Sequence, residues 1–260
     1  MTGLRVGFLG DGHLNGVLHR AVRESRPYRV VGVYGRDAVL PGSGMVDVIV
    51  EAATQQAVRE RVPPLLADGI DVILLSVGAL ADAAVRSELL QRMPGRGLLI
   101  PCTGAIGGLD QVRALRAAGP LESVSLESRK LPGALIQPWM RTRLTESLRA
   151  GDTEIVLADG PAAEVAQRFP ASANVAAALA LAADAWEVAT ARIVADPSAV
   201  RTRHEIRASG VLGEVRTIVT NAPSVERPRS SAVVAWAALR ALDDYARLRG
   251  FPNAGGVTFL

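Results

Sequence analysis

The stretch VGFLGDGHLNGVLHRAV, residues 6–22, joins a run of apolar residues to a segment with the spacing of an amphipathic helix. Gly10 permits a tight turn out of a strand, and Gly12 lets backbone N–H groups approach an anion where the helix begins. Asn15 holds the place of the third glycine of the dinucleotide fingerprint G-x-G-x-x-G, and Gly16 follows it. We interpret this spacing as a variant that keeps the phosphate site and moves the helix–sheet packing contact to Gly16. An ordinary glycine turn is the alternative.

The residues that follow alternate short apolar runs with helical patterns. The runs LRVGFLG, RVVGVYG, VDVIVEA, DVILLSV and GLLIP are continuously apolar, which is typical of parallel strands covered by helices on both faces. The segments between them, including Leu18 to Glu24, QQAVRERVPPLLADG and ADAAVRSELLQRM, predict helices. Strands that alternate with helices predict right-handed crossovers. We therefore expect residues 1–107 to form an α/β dinucleotide-binding domain with a doubly wound parallel sheet of the Rossmann type.

The rest of the chain has a different pattern. From residue 108 to 229, the runs LESVSLESRK, TEIVLADG, ARIVADP, HEIRASG and EVRTIVTN tend to alternate apolar and polar residues, as half-exposed antiparallel strands do. Helices are predicted at 161–168 and 173–190. The segment predicts an α+β domain with a mainly antiparallel sheet that carries the substrate and catalytic residues. A final amphipathic helix at 230–249 is expected to pack back on the first domain, and residues 250–260 to form a flexible, turn-rich tail.

Composition excludes several classes of function. The 260 residues carry a formal net charge of +3 and no block of Lys or Arg, so we expect neither a nucleic-acid nor a membrane partner. The first residues lack the pattern of a signal peptide, and no apolar run is long enough to span a bilayer, so we expect a cytoplasmic protein. Cys102 is the only cysteine, which rules out an intrachain disulfide and a cysteine-based metal site. No bound metal is expected.

The end of the second predicted strand bears on the choice of cofactor. NAD-binding proteins usually have an acid there that binds the ribose hydroxyls, but this chain has Gly35 followed by Arg36. A small residue followed by arginine suits the 2′-phosphate of NADP, because the guanidinium offers several donors to it. The sequence therefore favours NADP over NAD. NAD is the alternative, because Asp37 can still reach the ribose.

The chain has three histidines. His13 lies in the glycine turn, where we expect it to contact the cofactor together with Leu14, and His19 lies on the first helix. His204 heads a strand, and period-two alternation places it on one face with Ile206. That position fits a general acid/base, or a carbonyl-polarising group, beside a nicotinamide. A buried core histidine is the alternative.

A substrate with two carboxylates needs cationic or hydroxyl partners. Arg129 and Lys130 end a strand and are candidates for the carboxylates, and a solvated strand end is the alternative. Ser172 and Thr202 are candidate hydroxyl donors. Cys102 is interpreted as a small buried residue, and a nucleophilic thiolate near the cofactor is the alternative.

Five further segments follow one another in a specific order: VDVIVEAATQQAV, DVILLSVGALAD, GAIGGLD, FPASANVAAALALA and ADPSAVRTRHEI. In that order they resemble the L-aspartate dehydrogenase family, from Val6 to about Leu248. The resemblance implies a Rossmann domain joined to an α+β domain that carries the catalytic residue. It also implies that NAD or NADP is used to interconvert aspartate and iminosuccinate, which exchanges with oxaloacetate and ammonia.

The resemblance also implies roles for individual residues. His204 matches the active-site histidine of the family, and Ala105 and Asn174 match positions that contact the cofactor near the nicotinamide. From the residues alone, a helix N-cap is the alternative for Asn174. Ser172 and Thr202 replace asparagines that are common in the family, and these departures bear on the substrate more than on the reaction. The expected cofactor contacts are Gly10, Gly12, His13, Leu14, Gly35, Arg36, Ala53, Ser76, Ala105 and Asn174.

We therefore expect an NAD(P)-dependent amino-acid dehydrogenase that acts on L-aspartate or a similar small amino acid, with His204 as acid/base. Its partners are the amino acid, the 2-oxo acid and ammonia. An imine reductase that acts on another 2-oxo acid is one alternative, and a non-catalytic NAD(P)-binding sensor or partner protein is the other. A homodimer whose mate contacts the sheet of the second domain is expected by analogy with two-domain enzymes of this kind.

Overall fold

The computed structural model describes most of the chain, namely residues 3–91, 93–224, 226, 230–251 and 256–258. The chain divides into two compact units, one formed by Met1–Gly104 with Val234–Leu260 and the other by Ala105–Val233. The first unit is therefore built from both ends of the chain, and the second from one continuous segment.

The described residues contain ten strands and eight α-helices. The strands are β1 (Arg5–Leu9), β2 (Arg29–Tyr34), β3 (Val48–Glu51), β4 (Asp71–Leu74), β5 (Leu99–Pro101), β6 (Leu121–Lys130), β7 (Ile155–Pro161), β8 (Ala189–Ala195), β9 (Thr202–Gly210) and β10 (Gly213–Asn221). The helices are α1 (His13–Ser25), α2 (Gln55–Ala67), α3 (Ala83–Leu90), α4 (Leu109–Ala118), α5 (Thr142–Ala150), α6 (Ala162–Arg168), α7 (Asn174–Ala183) and α8 (Val233–Leu248).

The first unit contains a parallel sheet with the strand order β2-β1-β3-β4-β5. Every residue of β3 and β4 is buried, as expected for strands that are covered on both faces. The chain order reverses between β1 and β3, and open α/β sheets bind ligands at the carboxyl ends of the strands at such a switch point. The predicted doubly wound sheet is confirmed, and its switch point lies at the glycine turn after β1.

The last helix belongs to the core of this first unit. Leu242 of α8 is fully buried and shares a cluster of apolar side chains with Val22 of α1. Asp243 accepts hydrogen bonds from the Arg26 guanidinium and from the Tyr28 hydroxyl, both at 2.8 Å. Apolar packing and these charge-assisted hydrogen bonds therefore join the two ends of the chain.

The second unit contains a mixed sheet with the strand order β10-β9-β6-β8-β7. The pair β6 and β8 is parallel and the other neighbours are antiparallel, which confirms the predicted α+β fold with a mainly antiparallel sheet. Helices α4, α6 and α7 pack on the sheet. Ser128 and Lys130 of β6 are buried, whereas Glu127 and Arg129 are partly exposed on the other face.

Helix α7 is shorter than predicted. The sequence predicts a helix at 173–190, but α7 ends at Ala183 because Asp184 adopts a left-handed conformation with a φ of 44°. Helices α4 and α5 lie in segments for which the sequence pattern indicates no element. In α5 only Leu148 is buried, so the helix has almost no apolar stripe to detect.

Parts of two predicted segments lie outside the described residues. These are positions 225 and 227–229, before α8, and positions 252–255 and 259–260 of the predicted tail. The division into a dinucleotide-binding domain, residues 1–107, and a substrate domain, residues 108–229, stays a prediction. Within the described ranges, no helix combines the length and the apolar character that a membrane span requires.

Candidate functional site

The turn after β1 requires glycine at its first position. Gly10 has a φ of 101°, and a Cβ there would lie 2.9 Å from the Cβ of Ala53. The Gly10 N–H donates to the carbonyl of Tyr34 at 2.8 Å, which ties the turn to the end of β2. Gly12 is the N-cap of α1, and a Cβ at this position would meet no atom of the described residues within 4 Å. Gly10 is thus required by the fold, whereas Gly12 leaves the space above the helix N-terminus open.

The space above α1 suits a pyrophosphate. This helix has 13 residues, no side chain in the described ranges caps its N-terminus, and its first turn contains no acid. The first N–H groups of a helix lack intrahelical partners, and together with the helix dipole they attract anions. His13 and Leu14 are the first two residues of the helix and are half-buried. These residues fit the dinucleotide that the sequence predicts, and that group supplies the hydride chemistry when it is bound.

Asn15 has a role that the glycine spacing does not predict. Its side chain is 1% exposed, and Nδ2 donates to the carbonyls of Leu9 at 2.7 Å and Gly10 at 2.8 Å. Gly16 is exposed, and a Cβ there would meet nothing within 4 Å in the part of the chain that the structure describes. The prediction that Gly16 takes over the packing contact of the third glycine is therefore wrong. The buried amide of Asn15 braces the turn instead.

Charged side chains surround the end of β2. Arg36 is exposed there, and a Cβ at Gly35 would lie 3.3 Å from Oδ2 of Asp11. A carboxylate from the glycine turn thus lies where the strand itself lacks an acid. The guanidinium of Arg61, on α2, donates to the carbonyls of Gly35, Arg36 and Ala38. Sequence reasoning missed Asp11 and Arg61 because each reaches this place from another element.

Glu51, the last residue of β3, is fully buried. Its Oε1 accepts hydrogen bonds from the Ala53 N–H and the Ser76 hydroxyl, both at 2.8 Å, and its Oε2 accepts one from the Ser76 N–H at 2.9 Å. Burial raises the pKa of the Glu51 carboxyl, and these hydrogen bonds partly offset the rise. Glu51 therefore joins two of the expected cofactor contacts, although in the sequence it reads as the end of an apolar strand.

In the second unit, His204 of β9 is 1% exposed. Its Nδ1 lies 2.8 Å from the hydroxyl of Ser128, its cross-strand partner on β6. Its Nε2 is buried and has no hydrogen-bond partner in the part of the chain that the structure describes. Burial, helped by the charge of Lys130, lowers the pKa of His204 to about 3, so the ring is neutral near pH 7.

Lys130 is the only lysine among the 29 basic residues Lys and Arg of the chain, a signal that sequence reasoning missed. It is 5% exposed, and its Nζ donates to the carbonyl of Ser172 at 3.3 Å. Burial lowers the pKa of Lys130 to about 8, and no described carboxylate pairs with it. The hydroxyl of Ser172 is also buried without a described partner. Lys130 thus joins Ser172 and His204 in one buried polar group with unused hydrogen-bonding capacity.

Three other expected residues occupy separate positions in the second unit. Thr202 is buried on β9 opposite Asn221 of β10. The side-chain amide of Asn221 donates to the carbonyl of Ala105 at 2.8 Å, so Asn221, which sequence reasoning missed, fixes an expected cofactor contact. Asn174 is the first residue of α7 and follows the N-cap Ala173, so the N-cap interpretation of Asn174 is wrong.

The surroundings of Arg129 and Cys102 disfavour a role in substrate binding for the first and in nucleophilic catalysis for the second. The guanidinium of Arg129 pairs with Glu127 at 2.7 Å and also with Glu154 and Asp196, so it is not free for a substrate carboxylate. Cys102 is buried in the apolar core of the first unit, and burial raises the pKa of its thiol, which disfavours a thiolate. Among the described residues, no three side chains of His, Cys, Asp or Glu lie together as metal ligands would.

The sequence of this chain is similar to those of known proteins. Residues 110–245 match a family model described as "Aspartate dehydrogenase, C-terminal", and residues 37–99 match one described as "Homoserine dehydrogenase, NAD binding domain". The L-aspartate dehydrogenase of Methanosarcina acetivorans is 41% identical over 200 residues, which cover 76% of this chain and 73% of that protein. The L-aspartate dehydrogenase of Methanothermobacter thermautotrophicus is 35% identical over 259 residues, which cover 92% of this chain and 95% of that protein.

A solved structure has the same fold. The crystal structure of aspartate dehydrogenase from Thermotoga maritima superimposes with a TM-score of 0.73, covers 99% of each chain and is 21% identical to this one. At that identity the likeness concerns the fold alone. The family model, in contrast, matches more than half of the chain, and both relatives are more than 30% identical over most of it. The chain therefore contains an NAD-binding domain and belongs to the aspartate dehydrogenase family, which consists of oxidoreductases that act on CH–NH2 donors.

Proposed function

We propose that this protein catalyses the NAD(P)-dependent interconversion of L-aspartate, or a similar small amino acid, and its imino acid, which exchanges with a 2-oxo acid and ammonia. The observation that carries the proposal is the buried polar group of His204, Lys130 and Ser172, whose hydrogen-bonding capacity is not used up. Relatives with the name L-aspartate dehydrogenase support the same reaction.

His204 is the proposed acid/base. When hydride leaves the Cα of an amino acid, the nitrogen must lose a proton, and hydrolysis of the imine needs a base for water. A neutral imidazole held at Nδ1 by Ser128 presents Nε2 for such a transfer. Burial and the charge of Lys130 lower the pKa of His204. A substrate carboxylate beside Lys130 offsets the second cause, so substrate binding moves this pKa back toward the range in which imidazole transfers protons well.

Lys130 is the proposed partner of a substrate carboxylate. A buried ammonium without an acidic neighbour is destabilising unless an anion reaches it. Because its pKa is about 8, the amine is mostly charged at neutral pH. Ser172 and Thr202 are proposed as hydroxyl donors to the same substrate.

The proposed cofactor contacts in the first unit are Gly10, Gly12, His13, Leu14, Gly35, Arg36, Ala53 and Ser76. Those in the second unit are Ala105 and Asn174. We propose NADP as the preferred cofactor, because Arg36 and Arg61 bring two cations to the end of β2, where dinucleotide-binding sheets hold the adenosine ribose. Asp11 opposes this preference, because its carboxylate repels a 2′-phosphate. The proposal is that the two cations outweigh it.

A homodimer is proposed to form through the sheet face opposite His204. On this face Glu205 accepts hydrogen bonds from Arg207 at 2.8 Å and Arg216 at 2.7 Å, and Ile218 is 48% exposed. Charges of both signs beside the exposed side chain of Ile218 suit contact with a second copy of the same surface. Light scattering should show a dimer that Ile218→Glu converts to a monomer.

A cytoplasmic location is proposed, because nicotinamide dinucleotides and small 2-oxo acids are intracellular metabolites.

Reductive amination tests the proposed reaction. The protein is mixed with NADPH or NADH, ammonium and one 2-oxo acid at a time, and the absorbance of the reduced nicotinamide is followed. We expect oxidation with oxaloacetate that depends on ammonium. Turnover only of a 2-oxo acid whose product is not a small amino acid similar to aspartate would indicate an imine reductase of other specificity. NADPH binding without turnover of any acid would indicate a non-catalytic NAD(P)-binding protein, and either result overturns the proposal.

A further inference from the structure

The buried carboxylate of Glu51 has no part in the chemistry proposed above. All four residues of β3 are buried, and the other three are apolar. No described cation pairs with Glu51, and its own burial disfavours the charged form. A carboxylate in such surroundings is destabilising unless hydrogen bonds compensate for the lost water. An apolar residue would pack there at lower cost, which argues that the carboxylate is present for another reason.

Hydrogen bonds to Glu51 come from the turns after two different strands. The Ala53 N–H follows β3, and the N–H and hydroxyl of Ser76 follow β4, all within 2.9 Å of a carboxylate oxygen. Ala53 in turn lies against Gly10, where a Cβ would come within 2.9 Å of it. Glu51 therefore links the turns after β1, β3 and β4, which are adjacent strands of the sheet.

The strand order indicates which half of a dinucleotide these turns face. In sheets of this type the adenosine ribose binds at the end of the second strand and the pyrophosphate at the start of the first helix. Here β3 and β4 lie on the other side of β1 from β2. The nicotinamide half of an extended dinucleotide therefore extends toward the turns that contain Ala53 and Ser76.

We infer that Glu51 is a positioning residue whose buried carboxylate holds Ala53 and Ser76 in the geometry that binds the nicotinamide half of the cofactor. The inference rests on the proposed function only in taking an NAD(P) dinucleotide as the ligand. Glu51→Gln keeps the size of the side chain but replaces one acceptor oxygen by an NH2 group. That group then faces a donor, so either Ala53 or Ser76 loses its partner and shifts. The adenosine end of the site is left as it was.

Calorimetric titration tests the inference without turnover. Wild type and Glu51→Gln are each titrated with NADPH and with adenosine 2′,5′-bisphosphate, which lacks the nicotinamide, its ribose and its phosphate. We expect the affinity for NADPH to fall about tenfold, as for the loss of one buried hydrogen bond, and the affinity for adenosine 2′,5′-bisphosphate to stay unchanged. Glu88→Gln makes the same substitution on an exposed residue of α3 and is the matched control, which should change neither affinity.

Two results overturn the inference. One is an unchanged affinity of Glu51→Gln for NADPH, and the other is an equal loss for both ligands, since that indicates a general structural role. If Glu51→Gln does not fold, Glu51→Asp is titrated in the same way, because its shorter side chain keeps the charge but cannot reach both turns. Misfolding of both variants assigns Glu51 to the fold alone and also overturns the inference. A wild type that binds NADPH without oxidising it contradicts the proposed function and leaves this test intact.

Discussion

The polar group around Glu51 and the polar group around His204 differ in how completely their members are hydrogen-bonded. Glu51 accepts hydrogen bonds from three donors of its own unit. In the other group, the described residues offer His204 a partner at Nδ1 only, Lys130 one carbonyl at 3.3 Å, and the hydroxyl of Ser172 no partner. Both groups are buried, so burial does not separate them. The satisfied group can act as a fixed support, whereas the other retains capacity that a ligand can use.

An unpartnered buried atom does not by itself indicate a ligand site. Oδ1 of Asn15 is also buried without a described partner, but the other end of that amide is fixed by two carbonyls and braces a turn. The group around His204 is different because an imidazole, an ammonium and a hydroxyl lie together. The chemistry of the buried group therefore indicates a ligand site better than the number of unpaired atoms does.

The largest expected effect is on catalysis by His204. His204→Ala removes the proposed acid/base and should lower kcat by about 10²–10⁴-fold while the affinity for NADPH stays unchanged. Amination rates with oxaloacetate and direct titration with NADPH measure the two quantities. His19→Ala is the matched control and should leave kcat unchanged, because the His19 ring lies on α1 and packs edge-on against Phe8 of β1. A full rate in His204→Ala would remove this residue from the mechanism and show that the unpaired capacity around it does not serve the reaction.

A smaller effect is expected on substrate binding by Lys130. Lys130→Met should raise KM for oxaloacetate by about 10–100-fold, because a hydrogen bond to a charged group contributes about 1.5–3 kcal/mol. Arg129→Met removes the neighbouring cation, which acids on the other face of the sheet already neutralise, and should leave KM unchanged. Equal KM values for Lys130→Met and the wild type would show that the buried ammonium does not bind the substrate.

A third prediction concerns the charges at the end of β2, which are proposed to set the preference for NADPH over NADH. Arg36→Ala should weaken NADPH binding about tenfold and NADH binding much less, because only NADPH carries the 2′-phosphate. Asp11→Asn should act in the opposite direction by removing a repulsive carboxylate. Fluorescence titration with each dinucleotide measures the ratio, and Arg20→Ala, on an exposed position of α1, is the control. If the wild type binds NADH at least as tightly as NADPH and Arg36→Ala changes neither, the arginine has no such role.

The smallest expected effect is on stability and its dependence on pH. The pKa of Lys130 is about 8 in the native protein and 10.5 ordinarily, so between these values the unfolded chain binds more protons than the native one. Stability should therefore rise as pH increases from about 8 to about 10.5. Lys130→Met removes this rise and should increase the free energy of unfolding near pH 7 by about 1–3 kcal/mol. Urea denaturation of both proteins at about pH 7 and about pH 9.5 measures this, and a variant less stable than wild type at neutral pH would show that Lys130 supports the fold.

The fold class could be predicted because the two units have different hydrophobic periods. β3 and β4 are buried at every position, whereas buried and partly exposed residues alternate along most of β6. Helices α4 and α5 could not be predicted from an apolar stripe, because α4 buries only Leu109 and Val112 and α5 buries only Leu148. The end of α7 depends on the left-handed conformation of Asp184, which no local pattern indicates.

Some residues of the candidate site could be predicted from the sequence, and others could not. His204 and Lys130 could be proposed from the sequence, because their residue types carry chemistry wherever they are buried. The sequence could not predict the roles of Glu51, Asn15 and Arg61, since each acts through hydrogen bonds to backbone groups of other elements. Only the folded chain brings those donors and acceptors together.

The position of α8 has a consequence for biosynthesis. Ala238 and Leu242 complete a core that otherwise comes from residues before 105, so the ribosome makes the whole intervening segment before it makes the helix that closes the first core. Domains generally fold as units during synthesis. We therefore expect the continuous segment to become protease-resistant on the nascent chain while Val22 is still uncovered. The core of the first unit is therefore complete only after α8 has emerged.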